Sequence, residues 1–193
     1  ATLYDIFVDK DSPLEGTEAG TVWDPSMGYG GRLLGAIAAG VNYIGTDPCV
    51  PTYAGLDFVF TSPPYLGHEQ YGDEPEQSYN KFKVQDEWRN GFLLQTIKNA
   101  YKGLKPGKYA GFNVANVKSY KTFEEDTYDC MVEAGFKDIK IWWLSLSTQQ
   151  GTKVQSTLEG TETEKKQSQN YVGRFARPDI PGRKYEPIFI GIK

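Results

Sequence analysis

Apolar residues along this chain fall into short runs separated by glycine and proline, and the runs alternate between two periods. Residues 21–23, 42–46 and 56–60 are brief apolar stretches bounded by turn-forming residues, which predicts strands. Residues 32–40 are rich in Ala and Leu and stop at Gly40, which predicts a helix between the first two strands. Residues 86–104 place Trp88, Phe92, Ile97, Tyr101 and Leu104 at helical spacing, open on acidic residues and end at Lys105-Pro106-Gly107, so a long helix is expected there. Further on, the pattern predicts a strand over 109–117, a helix over 123–134 closed by Gly135, and strands over 139–146 and 187–192. Strands alternating with helices imply a mostly parallel sheet covered on both faces. Trp142 and Trp143 alternate across a strand, so one is expected in the core and the other under a loop or helix.

One spacing breaks the rhythm. Parallel strands need a crossover of about 10 to 12 residues or more, usually with a helix, yet only Pro48 to Gly55 separate the second strand from the third. The polypeptide is therefore expected to carry further residues between 48 and 56 that this sequence does not show, and an intact mass would reveal them.

A chain of 193 residues buries roughly 70% of the surface its unfolded form exposes, so one domain can stand without a disulfide staple or a structural metal. The two cysteines, Cys49 and Cys130, then carry little information. The longest low-polarity run, residues 33–41, is too short to cross a bilayer. The first residues carry Asp5, Asp9 and Lys10 without a signal-peptide layout, which points to the cytoplasm.

Charge adds a polarity to the picture. The whole chain has 21 basic and 25 acidic residues, a net of -4. Residues 148–184 hold seven of the basic ones and four of the acidic ones, a net of +3 that leaves -7 for the rest. An acidic body with a basic, Gln/Ser/Thr-rich segment suggests a face that meets a polyanion; a solvated surface loop is the plainer alternative.

Two motifs carry candidate chemistry. Asp24-Pro25-Ser26-Met27-Gly28-Tyr29-Gly30-Gly31-Arg32 follows a predicted strand and opens a helix. Its glycines allow a sharp turn and close approach of a ligand at the carboxyl end of a strand. It lacks the Lys-Ser/Thr of a phosphate-cradling loop, which argues against an NTPase. Asp47 ends the next strand about twenty residues on, where folds of this type bind ribose hydroxyls. Capping of neighbouring backbone is the alternative role for Asp24 and Asp47. The second motif, Thr61-Ser62-Pro63-Pro64-Tyr65, directly follows the third strand. Paired prolines end sheet pairing by themselves. Ser-Pro-Pro-Tyr occurs by chance in a chain of this size roughly once in a thousand.

On these two motifs the sequence resembles the S-adenosyl-L-methionine-dependent DNA methyltransferases that modify exocyclic amines. Their hallmark is a Ser/Asn/Asp-Pro-Pro-aromatic loop combined with an Asp-Pro-x-x-Gly-x-Gly loop. The resemblance spans most of the chain, including the helix ending Leu104-Lys105-Pro106-Gly107, the strand that follows with Asn113 and Asn116, and the closing Tyr185-Glu186-Pro187-Ile188 strand. It implies a single Rossmann-like methyltransferase domain over residues 1–193. That domain would have a mostly parallel seven-stranded sheet, helices on both faces and an antiparallel strand near the C-terminus.

It also implies roles. Ser62, Pro63, Pro64 and Tyr65 would form the catalytic loop, with Tyr65 stacking on a flipped base and the Ser62 hydroxyl and Pro63 carbonyl accepting the amine hydrogens. Asp24, Pro25, Ser26, Gly28 and Gly30 would hold the methionine part of the cofactor and Asp47 its ribose. No metal is expected, and His68 reads as a loop residue. Residues 148–184 would be a DNA-facing insertion in which Lys165, Lys166, Arg174, Arg177 and Arg183 meet phosphates. Tyr71 and Tyr79 would touch the nucleic acid, although packing against the body accounts for them equally well. Ser before the prolines leans toward cytosine N4 over adenine N6. No segment is large enough for a recognition domain, so specificity is short, or a partner or the residues not shown supply it; the partner would be a specificity subunit or a second copy in a homo-oligomer. The biological setting implied is DNA methylation of the restriction-modification kind, at the nucleoid or in a phage-infected cell. The alternatives are a methyltransferase acting on RNA or a protein amide, and a non-catalytic nucleic-acid-binding subunit of the same fold.

Overall fold

The computed structural model describes residues 3–8, 19–28, 30–46, 53–66, 75, 77–146, 174–179 and 183–193. Its strands are β1 (Thr21–Asp24), β2 (Asn42–Gly45), β3 (Leu56–Thr61), β4 (Leu104–Asn113), β5 (Lys137–Leu146) and β6 (Lys184–Ile192). The helices are α1 (Leu3–Phe7), α2 (Gly31–Ala39), α3 (Ser78–Lys81), α4 (Gln85–Trp88), α5 (Leu94–Gly103) and α6 (Phe123–Ala134), with a π-turn over Arg89–Leu93 joining α4 to α5. They build one six-stranded sheet in the order β2-β1-β3-β4-β6-β5. β1, β2, β3 and β4 run parallel, and β6 lies antiparallel between β4 and β5. The fold is α/β and Rossmann-like. Six strands stand among the described residues, against seven expected, and residues 47–52, between β2 and β3, lie outside the description.

The pleat sorts side chains to two cores. Trp23 of β1, Val59 of β3 and Ala110 and Phe112 of β4 point to the face covered by α4, α5 and α6, where Trp88, Leu93, Ile97, Phe123 and Met131 are buried. Val22 and Phe58, one residue along, point to the other face, where α1 and α2 bring Tyr4, Val8, Ala36 and Ala39. Helices therefore cover both faces, as the alternating pattern requires.

Three local features depart from the sequence expectation, one being that the strand expected over 109–117 runs instead over Leu104–Asn113. The helix expected over 86–104 is broken by the π-turn, which spends one extra residue per turn. That is why Phe92 and Ile97, five apart rather than four, both reach the core. Neither tryptophan of β5 is a core residue: Trp142 is 37% exposed and leans on Phe7 at 5.2 Å between ring centroids, while Trp143 lies under the Arg177 guanidinium at 5.8 Å. β5 is the terminal strand of the sheet, so its faces are covered only in part.

The sheet also fixes where a ligand can sit. From β1 the chain moves outward to β2, and from β3 it continues on the opposite side through β4. This reversal between β1 and β3 is a topological switch point, and open α/β sheets bind ligands outside the carboxyl ends of the strands there.

Candidate active site

Both motifs leave the sheet at that point. β1 and β3 are neighbouring parallel strands with Trp23 opposite Val59, so Asp24-Pro25-Ser26 and Ser62-Pro63-Pro64-Tyr65 emerge side by side. β4 ends at the same edge, with Thr61 opposite Phe112, and delivers the turn that starts at Val114.

Asp24 is fully buried. Its Oδ1 accepts the Ser26 backbone N–H at 3.2 Å and Arg32 Nη2 at 3.1 Å, and its Oδ2 accepts the Tyr43 hydroxyl at 2.7 Å and Arg32 Nε. Arg32 also donates to the Ser26 carbonyl. The carboxylate thereby folds the loop back on itself and ties it to β2. Burial alone would lower the Arg32 guanidinium, but the hydrogen bond and charge of Asp24 outweigh it and hold the group above its ordinary value. Burial and then Asp24 push the Tyr4 phenol up to about 12 and raise Tyr43 as well, so both stay neutral.

Thr46 completes the stitching. Its carbonyl accepts the Met27 N–H at 3.2 Å, its own N–H donates to the Asp24 carbonyl at 3.0 Å, and its hydroxyl accepts the Trp23 indole N–H at 3.1 Å. Gly45 gives the loop room, since a Cβ there would lie 2.4 Å from Met27 Sδ. Gly28 and Gly30 take φ of 49° and 79°, values that side chains disfavour. A Cβ on Gly28 or Gly31 would meet nothing within 4 Å among the described residues, so side chains there do not crowd the loop backbone at the start of α2. This fits a cofactor that lies against backbone.

The Ser-Pro-Pro-Tyr loop is held from behind. Pro63 is buried, and Ser62, Pro64 and Tyr65 are half-buried. The Tyr65 hydroxyl accepts the Ala115 backbone N–H at 3.0 Å, and its ring meets Phe123 edge-on at 5.1 Å and 81°. Phe123 in turn stacks on Tyr120 at 4.9 Å and meets Trp88 at 5.6 Å. These contacts set the plane of the Tyr65 ring.

The turn that offers the Ala115 amide is itself anchored to α6. Asn116 Oδ1 accepts the Glu124 backbone N–H at 2.8 Å and Glu124 Oε1 accepts the Asn116 N–H at 2.9 Å, a reciprocal pair that caps the helix. Glu124 is fully buried and also receives Arg177 Nη2. Burial pushes its carboxyl up, while the Asn116 N–H and the Arg177 charge pull the other way.

Arg174 and Arg177 are both committed to this body. Arg174 donates its backbone N–H to Glu125 at 2.8 Å and its guanidinium to Asp129 at 3.0 Å, and Phe175 beside it packs on Phe189 at 5.1 Å. Arg183 is exposed. Asp47, Tyr71, Lys165, Lys166 and the side chain of Tyr79 lie outside the described residues. Tyr43, Glu124 and the Ala115 amide were not marked by any motif, and Arg32 closed the Gly-rich motif without a role of its own.

No family model matches the chain, and no curated protein does. Among solved structures it is similar to a precorrin-6y C5,15-methyltransferase from Geobacter metallireducens, at 10% identity over 92% of this chain and 82% of that one, with a TM-score of 0.46. It is also similar to a SAM-dependent methyltransferase from Archaeoglobus fulgidus, at 16% identity over 91% and 86%, with a TM-score of 0.47. A third, phosphoethanolamine N-methyltransferase 2 of Haemonchus contortus, determined with S-adenosyl-L-methionine, gives 14% identity over 93% and 50% and a TM-score of 0.42.

Proposed function

We propose that this chain is a methyltransferase that uses S-adenosyl-L-methionine to methylate the exocyclic amine of a flipped-out DNA base, at cytosine N4 in preference to adenine N6. The observation that carries the reading is the emergence of the Gly-rich loop and the Ser-Pro-Pro-Tyr loop side by side at the sheet's switch point. When bound, the cofactor supplies a methyl group on a positively charged sulfonium, and the methylated amine is acidic enough that no strong base is needed.

The chain's own groups then bind and align. A base inside a duplex is out of reach of the cofactor, so the nucleotide must be extruded and held by stacking and polar contacts. The Tyr65 ring, fixed by Ala115 and Phe123, supplies the stacking face. The Ser62 hydroxyl and the Pro63 carbonyl accept the two amine hydrogens and aim the nitrogen lone pair. Proline suits this position because its backbone is fixed and has no N–H to compete. Asp24 shapes the cofactor loop through Arg32, Tyr43 and Ser26; Gly28 and Gly30 let the methionine part approach it, and Asp47 takes the ribose. Alignment of this kind supplies most of the acceleration in an in-line displacement. Lys165, Lys166 and Arg183 provide phosphate contacts along the basic segment.

Substitution separates these roles. Tyr65→Ala and Ser62→Ala are expected to keep cofactor binding by calorimetry while lowering kcat about tenfold or more, the scale of one lost stacking or hydrogen-bonding contact. Asp24→Ala is expected to lose cofactor binding. Full activity in Tyr65→Ala would contradict the stacking role.

A further inference from the structure

We infer that Arg177 and Glu124 are positioning residues for the Ser-Pro-Pro-Tyr loop, acting through the turn whose Ala115 amide holds the Tyr65 hydroxyl. The inference rests on the reading that Tyr65 stacks on the base. It adds two residues that touch neither base nor cofactor.

The chain of contacts is short. Tyr65 Oη accepts from Ala115 N at 3.0 Å. The next residue, Asn116, is locked to Glu124 by bonds of 2.9 and 2.8 Å in opposite directions. Phe123, which meets the edge of the Tyr65 ring, directly precedes Glu124. One element thus fixes Tyr65 at both its ring and its hydroxyl.

Glu124 is an expensive way to secure a helix terminus. Its carboxylate is fully buried, Oε1 alone takes the bonds from Asn116 and Arg177, and Oε2 has no partner among the described residues. A buried charge of this kind is tolerated only when it is paired. The pairing cation, Arg177, belongs to residues 174–179, a piece of the basic segment that is far from Glu124 in sequence. Arg177 is held in place by the Tyr185 carbonyl at 3.1 Å and by the Trp143 ring. Seating of this piece against β5, β6 and α6 therefore decides whether the Glu124–Asn116 lock is closed. The lock in turn presents the Ala115 amide to Tyr65. The basic segment and the loop assigned to the base are joined by this one contact.

A double-mutant cycle tests the link. Tyr65→Phe keeps the ring and deletes the tied hydroxyl, and Arg177→Ala removes the cation. Each is expected to lower kcat about fivefold, the rate equivalent of one hydrogen bond, with the KM for S-adenosyl-L-methionine unchanged. Combined, they are expected to cost no more than either alone, because both cut the same path. Additive losses would overturn the inference. Glu124→Gln keeps an oxygen acceptor for Asn116 and Arg177 and is expected to stay within about twofold of wild type; a loss as large as that of Arg177→Ala would count against the geometry. A readout free of catalysis separates this from the methyltransferase reading. Amide hydrogen exchange at Ala115 is expected to be slow in the wild type and fast in both Tyr65→Phe and Arg177→Ala. Slow exchange in Arg177→Ala would refute the link whether or not the chain transfers a methyl group.

Discussion

At the scale of the residue, the charged groups of this chain divide by what surrounds them. Asp57, at the start of β3, accepts the Thr21 N–H at 2.9 Å and Lys105 Nζ at 2.9 and 3.0 Å. Burial works to raise its carboxyl, but the Lys105 and Thr21 hydrogen bonds and the charges of Lys105 and Lys108 outweigh it and hold the group below its ordinary value of 3.8. A carboxyl depressed in the folded state adds stability above its unfolded value, and that stability is lost as pH falls through the folded value. Asp57→Asn is accordingly expected to melt below the wild type near neutral pH. The two should converge in acid below the ordinary carboxylate range, which thermal melts across pH would show; a gap independent of pH would contradict the assignment. Cys130 shows the opposite balance: burial pushes its thiol up to about 12, so it is a packing residue rather than a nucleophile. Residues that a motif marks, such as Asp24 and Tyr65, were legible in the sequence as candidates. Their partners were not, because Tyr65 is anchored by a backbone amide and Asp24 by Arg32 and Tyr43, which reach it only after α2 and β2 have folded.

At the scale of the element, apolar runs bounded by glycine and proline found β1 through β6 and the helices α2 and α6. They missed α1 and α3, of 5 and 4 residues, which are too short to establish a period. The π-turn left its trace in the spacing of Phe92 and Ile97. Gly91 within that turn leaves room for the Phe82 ring, which a Cβ there would meet at 2.3 Å. The end of α5 crosses the approach to β3 just as closely, and a Cβ on Gly103 would stand 2.7 Å from the Tyr53 carbonyl oxygen and 2.8 Å from Leu56 Cδ1. Backbone on one side leaves little room to relax. Gly103→Ala is expected to destabilise the fold by about 1–3 kcal/mol through overpacking, measured by denaturant unfolding, and a neutral substitution would show that α5 can shift away from β3.

At the scale of the molecule, strand order was the part that alternation alone left open. Alternation predicts parallel strands, but only pairing shows that β1 lies between β2 and β3 and that the chain reverses direction there. That reversal brings two separate motifs to one edge of the sheet. The same order bears on the short crossover, since β2 ends at Gly45 and β3 begins at Leu56, on the far side of β1. β2 is an outer strand, and Leu34 and Ile37 on α2 are 70% and 66% exposed. A further helix and strand inserted between 48 and 56 would extend the sheet at this edge and shield those side chains. An intact mass above 21.6 kDa is expected on that account, and a mass matching the sequence would contradict it.

Isotope-labelled S-adenosyl-L-methionine followed by nucleoside mass spectrometry, on DNA and RNA incubated separately with the purified protein, tests the proposed reaction most directly. The account predicts label in DNA, on the exocyclic amine of cytosine or its adenine counterpart. Label only in RNA or protein would contradict the substrate, and no label anywhere, with no cofactor binding, would contradict the reaction itself.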